Sequence, residues 1–301
     1  MWKTIKSIFK PQDRNTRVQV RKYTRSKFGN FMFFLFLAGF GFFSVIPLVY
    51  SVVTSFKPLD ELLIFPPRLL IVERPTIANY TILPSLISGL DIPMSRYVMN
   101  SVLISLVGTV LHVLCSGMAS FVLAKTDLKH KNIIFLIIQY SLLFNGYTLG
   151  IPRYLIYTWM GLIDNYLVYI LPFIPSSMGV FLMKQYMDGY VPNAVIEAAR
   201  IDGASWNKTF WTIVFPMVRP CVLTLVLFTF RDIWATVPAG TIFTEAYKTL
   251  PTVMSTIGAG GIARTGAAMA ASVIMMIPPI AVYLVSQSSI KETMGSAGIK
   301  G

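Results

Sequence analysis

Two charged side chains lie within an apolar run of this sequence. Arg231 and Asp232 are neighbours in the stretch that follows Pro220 and includes Trp234. A charge inside a bilayer is costly and usually faces water or a partner. A guanidinium can also hold a carboxylate through two parallel hydrogen bonds. Arg231, Asp232 and Trp234 are therefore candidates for lining a polar pathway through a membrane.

If this run is a helix, Arg231 lies about 16 Å along it from Pro220, near the middle of a membrane. Adjacent residues on a helix point about 100° apart, so we expect Arg231 and Asp232 to need separate partners. The alternative role is structural. Arg231 would then pair with an acid elsewhere in the protein, or with Asp232 through a bend of the side chain.

The polar segment 191–216 contains a second set of informative residues. Pro192 suits the first turn of a helix, and Gly203 can take the positive φ that ends one. Ser205 can then cap a second helix. An apolar stripe at helical spacing follows and runs into the next apolar stretch; it consists of Trp206, Phe210, Ile213, Val214 and Met217. We predict two short helices joined at Gly203, which contact either another protein or the lipid surface.

No catalytic or metal-binding pattern accompanies these segments. Cys115 and Cys221 lie far apart in apolar stretches and fit neither a metal site nor a disulfide framework. The sequence contains no HExxH, GxSxG or GxxxxGK[ST] run. We therefore expect no catalytic residue, no metal site and no nucleotide site in this chain.

The composition is typical of an integral membrane protein. Hydrophobic residues make up 54% of the chain and charged residues 13%, and the mean hydropathy is +0.63. Several stretches of about 20 residues have hardly a charge, which is the length of a helix that crosses a bilayer. The net charge of +13 does not indicate a nucleic-acid partner, because the basic residues are placed as membrane topology requires.

These apolar stretches predict an all-α integral membrane protein with six transmembrane helices in a domain over residues 31–290. Pro172 and Pro175 should kink the fourth helix. The segment 188–216 would join the fourth helix to the fifth. The predicted spans are 31–54, 97–124, 132–151, 166–186, 217–238 and 267–289.

The distribution of Lys and Arg predicts the orientation. Residues 1–30 contain nine basic residues and one acid, so this tail should lie in the cytoplasm. Alternation then places the basic cluster 125–131, the segment 188–216 and the tail 291–301 on the same side. The segment 57–95, which has no excess of basic residues, should lie outside.

The segment EAARIDGASWNKTFWTIVFP (residues 197–216) resembles the EAA loop of ABC-importer permeases, and its IDGAS form is similar to the carbohydrate-uptake branch. Weaker similarities over most of the chain include the Asn100-Ser101 pair. The resemblance implies that this segment belongs to a coupling loop over residues 188–216, whose coupling helix docks in a cleft of an ATPase. The residues that it implies for this role are Glu197, Ala198, Ala199, Asp202, Gly203, Ile213 and Pro216.

The resemblance also implies the partners. They are a second homologous permease subunit, two copies of a cytoplasmic ATPase that bind ATP and Mg, and a periplasmic or extracellular solute-binding protein. The chain would reside in the lipid of the bacterial inner membrane and form half of the pathway for an oligosaccharide. Aromatic and amide groups suit sugars, so Tyr140, Asn145 and Tyr147 join the pathway candidates; interhelical hydrogen bonding is the alternative for each.

Arg231 departs from the family pattern, in which many carbohydrate permeases have a Trp-Asn pair near the middle of the fifth helix. A fixed cation there favours an acidic sugar, such as a uronate oligosaccharide. Three other functions stay open: an ABC permease for a non-sugar solute, a secondary transporter without an ATPase, and a membrane-embedded enzyme. Internal inverted repeats would be expected of the secondary transporter, and we find none.

Overall fold

The computed structural model describes residues 26–88, 92–144, 146, 148–238 and 240–297. Within these ranges every regular element is helical, as predicted. The α-helices are α1 (Lys27–Ser55), α2 (Leu59–Leu62), α3 (Ala78–Thr81), α4 (Leu83–Ser88), α5 (Met94–Lys125), α6 (Lys131–Ser141), α7 (Gly150–Trp159), α8 (Leu167–Ile170), α9 (Ser177–Tyr190), α10 (Asn193–Ile201), α11 (Trp206–Thr209), α12 (Phe215–Met217), α13 (Arg219–Trp234), α14 (Leu250–Gly258) and α15 (Thr265–Ala297).

The chain forms two compact units, one up to Val49 and one from Tyr50 onward. Of the described residues, the first unit contains the part of α1 up to Val49, which includes Pro47. The second contains the end of α1 and the other helices. The tail 1–25 and residues 298–301 lie outside the described residues.

Helix α5 is the most buried of the long helices, and it packs most extensively against α9 and α13. Close approach is possible because small residues line its buried face. A Cβ atom at Gly108 would lie 2.6 Å from Ile233 Cδ1 in α13, and one at Gly117 would lie 3.2 Å from Met183 in α9. These contacts fix α5 between the two helices.

By length and composition, four helical segments suit a membrane span: Lys27–Ser55, Met94–Lys125, Leu167–Tyr190 and Thr265–Gln287. The pair Trp206–Met217 and Arg219–Trp234, which is bent by 80°, gives a fifth candidate span if its two helices are counted as one span. These segments agree with the predicted spans one, two, four, five and six. The count of six is not confirmed.

The third predicted span, 132–151, is wrong as a single helix. Helix α6 ends at Ser141 and α7 begins at Gly150. Two features explain the break. Gly146 and Gly150 favour irregular backbone, and Pro152 is tolerated in the first turn of a new helix but not in the interior of a continuous one.

The predicted kink in the fourth span is confirmed. Pro172 lies in a 3₁₀ turn, Leu171–Phe173, that separates α8 from α9. The carbonyl of Phe173 is 2.7 Å from His112 Nδ1, and His112 is buried in α5. His112 is therefore a buried, hydrogen-bonded residue. The sixth span differs, because α15 continues through Pro278 and Pro279.

A clasp between two connecting segments closes the end of the bundle opposite residues 191–216. Asp164 has a φ of +60° and accepts hydrogen bonds from the backbone N–H groups of Phe243 (2.9 Å) and Thr244 (2.8 Å). Its other oxygen accepts the hydroxyl of Thr244. The hydroxyl and backbone hydrogen bonds from Thr244 lower the pKa of the Asp164 carboxyl.

We expect this clasp to depend on pH. Because the pKa of Asp164 is lowered in the folded state, the ionised carboxyl stabilises the clasp above the ordinary carboxyl pKa of about 4, and this contribution is lost as the pH falls through the lowered value. Asp164→Asn, which keeps the shape and tolerates positive φ, should loosen segment 241–247 already at pH 7. Spin-label mobility at position 243 from pH 3 to 7 measures the effect, with Asp60→Asn as the control. Equal mobility in wild type and Asp164→Asn would contradict it.

Candidate functional site

The segment 191–216, called the coupling loop below after the role that the resemblance implies, forms the two predicted helices joined at Gly203. Pro192 is the N-cap residue of α10, and Gly203 follows the helix with a φ of +74°. The N–H of Gly203 donates to Arg200 O at 3.0 Å, and Ser205 Oγ caps α11 by accepting from Lys208 N at 3.3 Å. The loop is therefore two helices joined by a left-handed glycine turn.

Helix α10 has two distinct faces. Ile196 and Ala199 are buried within the chain, whereas Glu197, Ala198 and Asp202 are exposed. We expected both alanines to pack in a cleft of a partner. For Ala199 that expectation is wrong, because Ala199 is 5% exposed and faces the chain's own interior. The side chains that α10 presents outward are those of its Glu197–Ala198 face.

Aromatic contacts hold the second half of the loop, from Trp206 onward, against α5. Phe210 is buried against Phe121 of α5, with ring centroids 5.4 Å apart, and Trp206 meets the same ring at 5.9 Å. The guanidinium of Arg200 lies 4.9 Å from the centroid of Trp206, which links α10 to α11 across the glycine turn.

The predicted apolar stripe is confirmed in part. Phe210 and Val214 are buried and Ile213 is half-buried, while Trp206 and Met217 remain exposed, as does Pro216. The stripe does not run straight into the fifth span. A π-helical turn, Phe210–Val214, and the bend between α12 and α13 redirect the chain.

A polar groove of about 160 Å³ runs beside α10 and the segment 124–131. Lys125, Lys131 and Arg200 contribute cationic groups to its lining, and Asp127 and Glu197 contribute acidic ones. Among the described residues, Glu197 has no ion-pair partner within 4.0 Å. Its exposed carboxylate is therefore available to a cation of another protein.

The pathway candidates are arranged differently from the prediction. Arg231 Nη2 lies 3.1 Å from Asp232 Oδ1, and Nε lies 3.2 Å from the same oxygen. The expectation of separate partners is therefore wrong, because the long arginine side chain bends back to its neighbour. Both side chains point away from the interior, with exposed fractions of 69% and 49%.

The place of Arg231 within its helix differs from the expected one. Helix α13 ends at Trp234, so Arg231 lies in its last turn, and its depth in a membrane stays a prediction. Two features end the helix there. The hydroxyl of Thr236 donates to Asp232 O at 2.7 Å, and Pro238 disfavours helical backbone at the residue before it.

Trp234 is a packing residue and does not line an open pathway. It is 3% exposed, it stacks on Phe230 at 6.0 Å, and its Nε1–H donates to Met275 O at 3.0 Å. Tyr140 is exposed on α6. Asn145 and Tyr147 lie outside the described residues.

Comparison with known proteins gives the family. Residues 92–296, which include α5 and the whole coupling loop, match the family described as "Binding-protein-dependent transport system inner membrane component". The chain belongs to this family. The match spans well over half of the sequence.

The inner membrane ABC transporter permease protein YcjP of Escherichia coli is 25% identical over 284 residues, which cover 93% of this chain and 99% of YcjP. The arabinooligosaccharides transport system permease protein AraQ of Halalkalibacterium halodurans is 28% identical over 276 residues, 89% of this chain and 94% of AraQ. A solved bacterial ABC transporter involved in the import of the acidic polysaccharide alginate has 20% identity and a TM-score of 0.70, and covers 88% of this chain and 98% of its own.

These matches confirm the resemblance to ABC-importer permeases. Permeases of this kind are transport components and not catalytic enzymes, and the chain is a multi-pass inner-membrane protein.

Sequence reasoning missed the residues that hold this permease's coupling loop in place. Lys125, the last residue of α5, donates to Val191 O at 2.7 Å and to Asn193 Oδ1 at 3.0 Å. In the sequence Lys125 belongs to a basic cluster that topology already explains, so nothing in the pattern sets it apart.

We expect Gly203→Ala to destabilise the coupling loop of this permease by about 1–2 kcal/mol, the cost of an L-residue in left-handed backbone. Gly189→Ala in α9 is the matched control. Both glycines have open space around a new Cβ, but only Gly203 has a positive φ. The control should be neutral or stabilise its helix by about 0.5–1 kcal/mol. Amide hydrogen exchange of the loop measures the difference, and equal effects of the two changes would refute this role of Gly203.

Proposed function

We propose that this chain is the permease subunit of an ABC importer for an oligosaccharide, and that its coupling loop transmits the work of a separate ATPase. The observation that carries the proposal is the exposed Glu197–Ala198 face of α10, within a segment that matches the family. A helix that presents an unpaired carboxylate beside small side chains suits a cleft with a basic residue in it.

The assembly that we propose contains a second permease, two ATPase subunits and a solute-binding protein. The ATPase subunits supply the ATP and Mg chemistry, because this sequence has no P-loop. Both chain termini and the coupling loop would face the cytoplasm. The contact between Lys125 and Val191 supports a location of the loop and the basic cluster 125–131 on the same side of the membrane. The positive-inside rule requires that side to be the cytoplasm.

Two observations support an oligosaccharide as the cargo. The relative AraQ is named for arabinooligosaccharides, and the match covers almost all of both chains. The exposed ring of Tyr140 suits stacking on a sugar. A non-sugar solute would contradict this assignment of cargo but not the assignment of the coupling loop.

Glu197→Ala and Gly203→Asp should uncouple the importer, because the first removes the charge offered to the ATPase and the second strains the turn that positions it. In the reconstituted complex, basal ATP hydrolysis should remain while stimulation by loaded binding protein falls about tenfold, the factor expected for losing one charge-assisted contact. Glu73→Ala, an exposed acid outside the loop, is the control. Normal stimulation in both loop variants would refute the coupling role.

The charge of the cargo is a finer proposal that depends on Arg231. An exposed ion pair on a membrane helix needs water or a protein partner, since charged side chains inside a bilayer are costly and usually face a cavity or a partner. This cost favours a pathway or subunit interface at the Arg231–Asp232 face. Asp232 already balances the charge of Arg231. An acidic sugar would therefore have to displace the Asp232 carboxylate or share the Arg231 guanidinium with it.

Arg231→Gln should reduce uptake of a uronate oligosaccharide at least about tenfold and leave assembly and basal ATP hydrolysis intact. Asp232→Asn is the matched control, and it should preserve or raise uptake because it frees the guanidinium. If the Arg231→Gln variant fails to assemble with its partner subunits, Arg231 has a structural role instead. Transport of neutral oligosaccharides alone by the wild type would refute an acidic cargo.

A further inference from the structure

The last turn of α5 contacts both ends of the coupling loop. Lys125 binds the start of the loop through Val191 O and the side chain of Asn193. Phe121 lies one turn earlier on the same face and packs against Trp206 and Phe210 at the end of the loop. One contact is polar and directional, and the other is an apolar aromatic cluster.

The start of the loop needs an external anchor. Helix α10 has no side-chain hydrogen bond at its N-cap, because Pro192 stands there and offers no acceptor. Val191 and Pro192, which connect α9 to α10, are both in extended conformation. The ammonium of Lys125 joins the backbone of this connection to the first residue of α10. Hydrogen bonds from a charged donor are about twice as strong as neutral ones.

The opposite end of α5 is also held by polar contacts. Asn100 Nδ2 donates to the carbonyls of Ala246 and Lys248, each at 2.9 Å, and Ser101 Oγ accepts from Leu250 N at 2.7 Å. Asn100 Oδ1 in turn accepts from the hydroxyl of Tyr166 at 3.1 Å. All these partners lie at the end of the bundle closed by the Asp164 clasp.

We propose that Lys125 is a positioning residue that fixes the start of α10 to α5, so that a displacement of the coupling loop moves α5 and, with it, segment 245–250. The helix is about 45 Å long and packs closely along its length, so it transmits displacement as a rigid element. This inference rests on the proposed function, since it requires an ATPase that displaces the loop.

The test uses the complex purified with its partner chains and compares Lys125→Met, Lys125→Arg and Asn193→Ala by amide hydrogen exchange. Loss of the ammonium in Lys125→Met should speed exchange at 193–197 about tenfold, since a charge-assisted bond no longer opposes local opening. Asn193→Ala should speed it less, and Lys125→Arg should restore most of the protection. Lys129→Met, an exposed lysine four residues later, is the matched control and should leave exchange unchanged.

A second readout separates positioning from simple stability. Trapping the wild-type complex with ADP and vanadate should change the exchange of segment 245–250, and Lys125→Met should lose that response while Lys125→Arg keeps it. An unchanged response in Lys125→Met, or equal exchange at 193–197 in Lys125→Met and wild type, would overturn the inference. If Lys125→Met does not assemble, wild-type behaviour of Asn193→Ala in both readouts would overturn it. A complex without any ATPase would instead contradict the proposed function.

Discussion

The close packing of α5 against α9 and α13 is the constraint on which the rest of the second unit depends. It rests on glycines, because a methyl group at Gly108 would lie only 2.6 Å from Ile233 and one at Gly117 would make a tight 3.2 Å contact with Met183. Larger residues there would push the neighbouring helices away and separate the groups that α5 holds at its two ends. In a membrane, where lipid tails are as apolar as leucine, such close contact and interhelical hydrogen bonds replace the hydrophobic effect as the force that joins helices.

This packing gives the coupling loop its form. Helix α9 ends just before Val191, and α13 follows the loop in the chain. Helix α5 lies between these two helices and contacts both halves of the loop. The glycine turn at Gly203 then directs the Glu197–Ala198 face outward. The same rigidity that orders the loop makes it suited to transmit movement, because a loop attached only through its chain ends would absorb a push from an ATPase.

Sequence reasoning was most accurate where the physical signal is local. The turn at Gly203, the cap at Ser205 and the kink near Pro172 each follow from what one residue type permits, and each is confirmed. It failed where contacts with distant parts of the chain decide the burial or direction of a side chain. The burial of Ala199 and Trp234 depends on which face of a helix meets the interior, and the bend of Arg231 toward Asp232 depends on where α13 ends. The role of Lys125 depends on a contact across 66 residues of sequence.

The central claim is that the outward face of α10 docks on a separate ATPase. The most direct measurement places a photoreactive phenylalanine analogue at position 198 in the full chain, cross-links in native membranes and identifies adducts by mass spectrometry. Position 243, exposed at the opposite end, serves as the comparison. We expect an adduct from position 198 with a protein that contains a GxxxxGK[ST] motif, and none from position 243. Absence of that adduct at 198, or its appearance only at 243, would contradict docking of α10 on an ATPase.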